Sequence, residues 1–250
     1  MKKTLYSLLL ILLTTMTSGC ERSVDYEPED FFEGSQLAIG QIIYDGNERE
    51  LQAQIATLSK EQINSPAKAK MTLLYWAISN SFGENATSER LKIITDLVRF
   101  GANPLQPQPN MSGSPAEVML KADKDVWIKS LLNGGLSPNA RDEIHHDPIL
   151  FQTRYAKNTD TLNAMLDAGA DINIRDSLGQ TLLMSAFISS SLDHVILLIN
   201  RGAQPNPVNI NNLSMLTLVK RQINDSQKDS EYNKKCKEIL SLLISHGAHD

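Results

Sequence analysis

One cluster in the sequence combines side chains that bind metal ions. His145 and His146 are adjacent, and the carboxylates of Asp142, Glu143 and Asp147 lie beside them. Imidazole nitrogens and carboxylate oxygens are common ligands of zinc. Because neighbouring side chains of one loop rarely converge on a single ion without a second segment, the sequence favours a solvated contact loop. A zinc site at this cluster stays an alternative, and we expect no metal or other cofactor.

The chain contains two cysteines, Cys20 and Cys236. Lys235 and Lys237 flank Cys236, and neighbouring positive charge lowers the pKa of a thiol. The alternative is a partly buried helix cysteine without chemistry, which the sequence favours.

Glycine pairs and turns give no sign of a phosphate-binding loop. The segments 134–135 and 179–181 have neither the spacing nor the lysine of such a loop. No nucleophile, base and orienting group are recognisable together, so we expect a protein that is not an enzyme. An enzyme that depends on His145 or Cys236 stays an alternative.

The charge balance argues against nucleic acid as a partner. The 250 residues include 24 Lys and Arg against 29 Asp and Glu, a formal net charge of −5, and there is no basic run. Nucleic-acid binding requires a basic patch to neutralise phosphates.

The first residues have the pattern of an export signal. Lys2 and Lys3 precede an apolar stretch from Leu5 to Met16, which is shorter than the roughly 20 residues of a membrane span. The stretch ends in small residues before Cys20 and resembles a bacterial lipoprotein signal, although Thr17 stands where such signals usually have leucine. An ordinary secretory signal with a chance cysteine, or a transmembrane anchor, stays an alternative.

The lipoprotein resemblance implies a division of the amino-terminal region. Residues 1–19 are the signal peptide, and Cys20 carries the acyl chains that anchor the protein to the membrane. Glu21 in second place implies the outer membrane of a bacterial envelope, on its periplasmic face. Residues 20–30 are acidic and poor in apolar side chains, so we expect a solvated tether. A lipidated Cys20 leaves Cys236 without a disulfide partner.

A glycine phrase recurs through the rest of the chain. Its marker glycines are 34, 34 and 33 residues apart, and a fifth follows after 45 residues. Glycine supplies the left-handed residue that ends a helix, and a period of 33 to 34 residues is typical of stacked helical pairs. The marker glycines are Gly101, Gly135, Gly169, Gly202 and Gly247.

A second recurrent position predicts where the first helix of each unit begins. Each residue there carries a side-chain oxygen that can cap a helix. Pro115 and Pro148 follow two of them, at the position where a helix tolerates proline, and Glu117 completes a capping box. The capping residues are Thr72, Ser114, Asp147, Thr181 and Ser214.

The segments 169–173 and 176–183 are similar to the consensus of the ankyrin-repeat family. The resemblance implies an all-α ankyrin-repeat solenoid with five repeats over residues 68–250. The consensus histidine is missing in every repeat, which predicts a lower stability than that of a consensus array. The residues that replace it are Tyr75, Glu117, Leu150, Met184 and Thr217.

Other segments are expected to close or interrupt the array. Residues 31–67 predict an amino-terminal cap with helices over 35–44 and 48–58, because an end repeat would otherwise expose an apolar side. Two polar insertions, near 80–89 and 221–230, are expected to form loops. A helix over 231–245 is expected to close the other end with a charged outer face.

The resemblance implies that projecting loops and first helices bind a protein partner. Exposed apolar residues at loop tips suit the centre of such an interface. The protein-binding residues predicted on this basis are Asn110, Met111, Glu143, His145, Ser177, Leu178, Gln180, Ile210 and Asn211.

Signal and repeat together resemble bacterial immunity proteins that neutralise antibacterial effectors, often lipases, delivered by type VI secretion. The implied mechanism is steric: a tethered monomer covers the toxin beside the membrane. A periplasmic scaffold or accessory protein for an envelope or oxidative-stress enzyme stays the alternative.

Overall fold

The computed structural model describes residues 26–108 and 113–249. It confirms the expected all-α class, since the described residues form α- and 3₁₀-helices with isolated β-bridges and no strands. The α-helices are α1 (Pro28–Phe31), α2 (Gly34–Asp45), α3 (Glu48–Gln54), α4 (Lys60–Asn64), α5 (Leu73–Ser79), α6 (Ser88–Arg99), α7 (Pro115–Met119), α8 (Val126–Gly134), α9 (Asp160–Asp167), α10 (Leu182–Ile188), α11 (Leu192–Asn200), α12 (Met215–Asp225) and α13 (Glu231–Ser245). The 3₁₀-helices are Ile55–Thr57, Lys68–Lys70, Gly83–Asn85 and Ile149–Tyr155.

The chain divides into two compact units. Of the described residues, unit 1 comprises those up to Val118 together with Lys129–Leu136, and unit 2 comprises Met119–Ile128 together with those from Ser137 onward.

Four of the five expected capping residues begin helices. Backbone N–H groups three residues on donate to the side chains of Thr72, Thr181 and Ser214 at 3.1–3.4 Å. Ser114 and Glu117 form the expected capping box, with distances of 2.7 and 3.4 Å. All five marker glycines have a positive φ, between 87° and 119°, as helix-ending residues require.

The repeat that begins at Asp147 departs from the expectation. A 3₁₀-helix over Ile149–Tyr155 replaces the first α-helix, and Pro148 precedes that helix instead of occupying its first position. The carboxylate of Asp147 accepts from Ser177 in the next repeat, at 2.8 Å, so Asp147 does not cap a helix of its own.

Unit 1 contains an aromatic cluster around Trp76. The rings of Phe31 and Phe32, which are 2% and 1% exposed, lie 5.4 and 6.0 Å from the Trp76 ring. Tyr44 stacks on Trp76 at 6.1 Å. The helix expected over 35–44 corresponds to α2, and the one expected over 48–58 corresponds to α3 followed by the 3₁₀-helix Ile55–Thr57. The chain turns between α2 and α3 at Gly46, whose φ is 71°.

The expected tether is wrong at its carboxyl end, because folded structure begins before residue 31. Pro28 begins α1 and is buried. The Tyr26 ring lies 5.3 Å from that of Phe31, and the Tyr44 hydroxyl donates to Glu27 at 3.3 Å. Aromatic packing thus outweighs the acidic character of this segment. The signal peptide and Cys20 lie outside the described residues.

The second insertion is also corrected in part. Residues 221–225 continue α12, so the loop is confined to residues 226–230. In the first insertion, residues 80–87 form a segment that is irregular apart from the 3₁₀-helix Gly83–Asn85, whereas residues 88 and 89 already belong to α6. In α13, Ile239 and Leu243 are fully buried as expected, whereas Ile244 is 57% exposed.

An asparagine ladder joins successive repeats of unit 2. In unit 2, the Asn139 amide donates to the Gly169 carbonyl at 3.3 Å and accepts from Asp171 at 2.7 Å. Asn206 bonds in the same way to Gly247 and His249, at 3.2 and 3.0 Å. These bonds connect repeats without the consensus histidine.

Candidate functional site

Three loops of unit 2 carry most of the residues predicted to bind a protein. Loop 1 is residues 141–148, loop 2 is 175–181 and loop 3 is 208–214, and together we name them the loop row. An antiparallel β-bridge closes each loop, between Arg141 and Pro148, between Arg175 and Thr181, and between Val208 and Ser214. Each loop directly precedes the first helix of its repeat, so its base is anchored to a folded element.

An acidic or amide side chain at the start of each loop fixes the backbone. Both carboxylate oxygens of Asp142 accept from backbone N–H groups of loop 1, at 2.5–2.9 Å. One oxygen of Asp176 and one of Asn209 accept from two N–H groups each, at 2.8–3.1 Å. Such local bonds stabilise turns, and the three loops therefore share one construction.

The electrostatics of Asp142 follow from this arrangement. Partial burial acts to raise the pKa of Asp142, but the three backbone donors and His145 outweigh it and hold the pKa below its ordinary value. The carboxylate therefore stays ionised and keeps its acceptor role at neutral pH.

Each loop turns through one residue in the left-handed region. These residues are His146, Gly179 and Asn212, with φ of 59°, 68° and 56°. Glycine and asparagine adopt this conformation readily, and histidine adopts it more often than most other residues. The sequence thus suits the turn in all three loops.

The loop tips expose large apolar side chains. Ile144 is 63% exposed, Leu178 53% and Ile210 65%, and we name these three the tip residues. Val208 at the base of loop 3 is 42% exposed. Apolar side chains left in water at the ends of ordered loops suit the centre of a protein interface.

The structure places the predicted binding residues as follows. Asn110 and Met111 lie outside the described residues. Gln180 is half-buried. The exposed predicted residues are Glu143, His145, Ser177, Leu178, Ile210 and Asn211.

Loops 2 and 3 also contact each other. The Ile210 N–H donates to the Leu178 carbonyl at 3.4 Å, and a Cβ added to Gly179 would lie 3.0 Å from the Ile210 side chain. Sequence reasoning missed Ile144 and Val208. The signal for Ile144 was available, because it is an isolated apolar residue among polar turn residues.

The histidine pair does not assemble a metal centre with its neighbours. His145 Nδ1 lies 3.6 Å from Asp142 Oδ1, and Asp142 is already occupied by backbone donors. Within residues 26–108 and 113–249, no group of three or more His, Cys, Asp or Glu side chains could hold a metal ion.

Cys236 is fully buried in α13. Burial raises the pKa of its thiol, and this effect exceeds the opposing hydrogen bond to Tyr232. The suggestion that the flanking lysines lower this pKa is therefore wrong. A buried thiol of this kind behaves as a small apolar side chain.

A polar cleft of about 420 Å³ lies elsewhere in unit 2. Ser190, Leu192, His194 and Lys235 are among the residues that line it. Lys235 pairs with Asp193 at 2.8 Å, so the charges of the lining are largely balanced. Among the helices of the described residues, none has the length and apolarity that crossing a membrane requires.

Comparison with known proteins identifies the repeat. No protein-family model matches the chain. Human ankyrin repeat and SOCS box protein 6 is 24% identical over 193 residues, which cover 72% of this chain and 46% of that protein. The fission yeast ankyrin repeat-containing protein P1E11.10 is 40% identical over 77 residues, covering 31% of this chain and 35% of that protein. The chain therefore spans about half the length of the human relative and about a third of that of the yeast relative.

Solved structures share the fold. An ankyrin repeat domain from Acinetobacter baumannii has a TM-score of 0.58 at 17% identity and covers 86% of this chain and all of that one. The ankyrin repeat domain of Bcl-3 has a TM-score of 0.61 at 18% identity, with coverages of 91% and 89%. A chain from the complex of a Bdellovibrio bacteriovorus predatory endopeptidase with an immunity protein has a TM-score of 0.50 at 17% identity, with coverages of 80% and 97%.

The repeated glycines and capping residues, the helical pairs and these similarities agree. The chain has the ankyrin-repeat fold, as its sequence predicts, and its sequence is similar to those of ankyrin-repeat proteins.

Proposed function

We propose that this chain is a protein-binding module whose loop row contacts the partner, and that the partner is a secreted antibacterial effector which the chain neutralises. The observation that carries the proposal is the exposure of the three tip residues on successive ordered loops. A solved chain with a similar fold comes from the complex of an endopeptidase with an immunity protein, which supports the choice of an enzyme as partner.

The mechanism follows from the position of the tips. Ile144, Leu178 and Ile210 are more than half exposed in the unbound chain, and burying apolar area releases about 25 cal/mol per Å². Because side-chain bonds to the backbone already order the loops, little conformational freedom is lost on association. An effector covered in this way is blocked sterically, without chemistry from this chain.

The lipoprotein signal supports a location for this activity. Acylation of Cys20 would hold the module at the periplasmic face of the bacterial envelope, on the outer membrane, where an effector that attacks lipids acts. Incorporation of labelled palmitate into the wild-type chain, with none in Cys20→Ser, is the expected result. Equal labelling of both chains would show that Cys20 is not the site of acylation. The proposal that the loop row binds the partner would not be affected.

The test of neutralisation uses the effector encoded beside this gene. Cells that express that effector in the periplasm should survive when they also produce the wild-type chain. The triple variant I144S/L178S/I210S should fail to protect them and should not be recovered with the effector. Continued killing with the wild-type chain, and no complex, overturns the effector as partner.

A matched control separates loss of the interface from general loss of apolar surface. Ile244 is 57% exposed in α13 and Ile210 is 65% exposed in loop 3. We therefore expect I210S to weaken the complex at least tenfold, about 1.4 kcal/mol, and I244S to leave it unchanged. Equal effects of the two substitutions would place the contact outside the loop row. An envelope enzyme bound and kept active, instead of an effector bound and blocked, would favour the scaffold alternative.

A further inference from the structure

Side chains of loop 1 bond to the backbone of loop 2. Asp147 Oδ1 accepts from the Ser177 N–H at 2.8 Å. The Arg141 guanidinium donates to the His146 carbonyl in its own loop at 2.8 Å and to the Arg175 carbonyl in loop 2 at 3.2 Å. Loop 2 is therefore held from its neighbour at two points.

The same arrangement is repeated one step further along. The Arg175 guanidinium donates to the Gly179 carbonyl in its own loop and to the Val208 carbonyl in loop 3, the latter at 2.9 Å. Arg141 and Arg175 stand 34 residues apart, at equivalent positions of successive repeats. Val208 occupies the next equivalent position. Its side chain has no hydrogen-bond donor, so the series of arginines ends before loop 3.

These contacts link the loops in one direction. Each arginine fixes the turn of its own loop and the first β-bridge residue of the next loop, because one planar guanidinium offers several donors in a fixed geometry. The acceptors are backbone carbonyls, so the bonds set the position of the backbone and leave the tip side chains exposed.

We propose that Arg141, Asp147 and Arg175 are positioning residues that hold the three loops as a single preorganised surface. Their guanidinium and carboxylate groups face neighbouring loops, and they govern affinity through the tip residues without supplying the apolar contact. The consequence for affinity rests on the proposed function. The linkage between loops does not.

Amide hydrogen exchange of the purified full chain tests the linkage without any partner. In Asp147→Ala, the Ser177 amide should exchange about three- to tenfold faster, the range that loss of one hydrogen bond gives. Asp147→Asn keeps an oxygen acceptor and should restore most of the protection. In Arg175→Ala, amides of loop 3 should also exchange faster, although no residue of loop 3 has been changed.

The matched control is Arg201→Ala. Arg201 pairs with Asp167 at 2.7 Å, away from the loops, so its loss should leave loop exchange unchanged while circular dichroism shows all variants folded. Faster exchange confined to the substituted loop overturns the proposal, as does an equal effect of Arg201→Ala.

The two proposals fail in different experiments. If exchange shows no linkage while the triple tip variant still abolishes binding, the positioning role is wrong and the binding surface stands. If exchange shows the linkage and the tip variant binds normally, the loop row is a rigid unit and the proposed function is wrong.

Discussion

Large apolar side chains are used in opposite ways in the two units. In unit 1, Phe31, Phe32 and Trp76 are almost completely buried and pack ring against ring. In unit 2, the three tip residues remain more than half exposed on loops that hydrogen bonds hold in place. One repeat architecture thus serves both to close a core and to present apolar surface.

The two regions also differ in how their stability is distributed. A single indole in unit 1 contacts several rings and donates to the Gly40 carbonyl at 3.0 Å, so much depends on one side chain. In unit 2, the asparagine ladder at Asn139, Asn173 and Asn206 contributes a bond or two at each step. Substitutions in the two regions should therefore differ in size.

Trp76→Ala should have the largest effect on stability. The indole is 3% exposed, and removing a buried aromatic side chain from a core costs about 3–5 kcal/mol. The free energy of unfolding from urea titration measures the loss. Trp76→Phe should lose less, because it keeps ring packing and removes the bond to Gly40. A loss below about 1 kcal/mol for Trp76→Ala would contradict the claim that the stability of unit 1 depends on this one side chain.

Much of this fold could be predicted because its signals are local. The helix caps at Thr72, Thr181 and Ser214 and the left-handed glycines depend on neighbours a few residues away. The aromatic cluster could not, because it joins Tyr26 and Phe31 to Trp76 across some fifty residues. The acidic composition of residues 20–30 therefore predicts a solvated tether. The long-range aromatic contacts, which composition does not reveal, hold the last of these residues in folded structure instead.

The site was predictable to a similar extent. The repeat period placed the loops, and polar turn residues located their tips. The hydrogen bonds between loops depend on two things. The spacing of the repeats can be read from the sequence, but the orientation of the guanidinium groups cannot. Arg141, Asp147 and Arg175 were for this reason absent from the predicted binding residues.

Asn139→Ala should have an intermediate effect. Two backbone groups of the next repeat lose their partner, and each net hydrogen bond is worth about 1 kcal/mol, so a loss of about 1–2 kcal/mol is expected. Thermal unfolding should show it as a lower Tm. The exposed Asn200 at the end of α11 gives the control, since Asn200→Ala should leave Tm almost unchanged. A loss as large as that of Trp76→Ala would contradict the distributed stability of unit 2.

His194 makes the stability of unit 2 depend on pH. Among the described residues, no group bonds to its Nε2, which is buried. Burial lowers the pKa of His194, although Asp193 and the Thr153 and Asn158 carbonyls act to raise it. The unfolded chain, with an ordinary imidazole pKa of about 6.5, then binds the proton more readily than the folded chain. The stabilisation is complete above that pH and is lost as the pH falls through it.

Urea titrations at pH 7.5 and 5.5 measure this effect. The wild-type chain should lose more stability on acidification than His194→Leu, which carries no titrating group there. His146→Asn serves as the control, because His146 is exposed and asparagine suits its φ of 59°. Equal losses of stability in wild type and His194→Leu would show that His194 does not cause the pH dependence.

Serine at the tip residues should have the smallest effect on stability. Surface substitutions away from caps and networks usually change stability by less than about 0.5 kcal/mol, and Ile144 and Leu178 use their backbone N–H groups, not their side chains, to bond to Asp142 and Asp176. The free energy of unfolding of I144S and L178S should therefore equal that of wild type within error. A loss above about 1 kcal/mol would mean that the tips pack within the fold. Unchanged stability together with lost binding, by contrast, would show that the side chains of Ile144 and Leu178 serve to bind a partner, whereas that of Trp76 serves to stabilise the core.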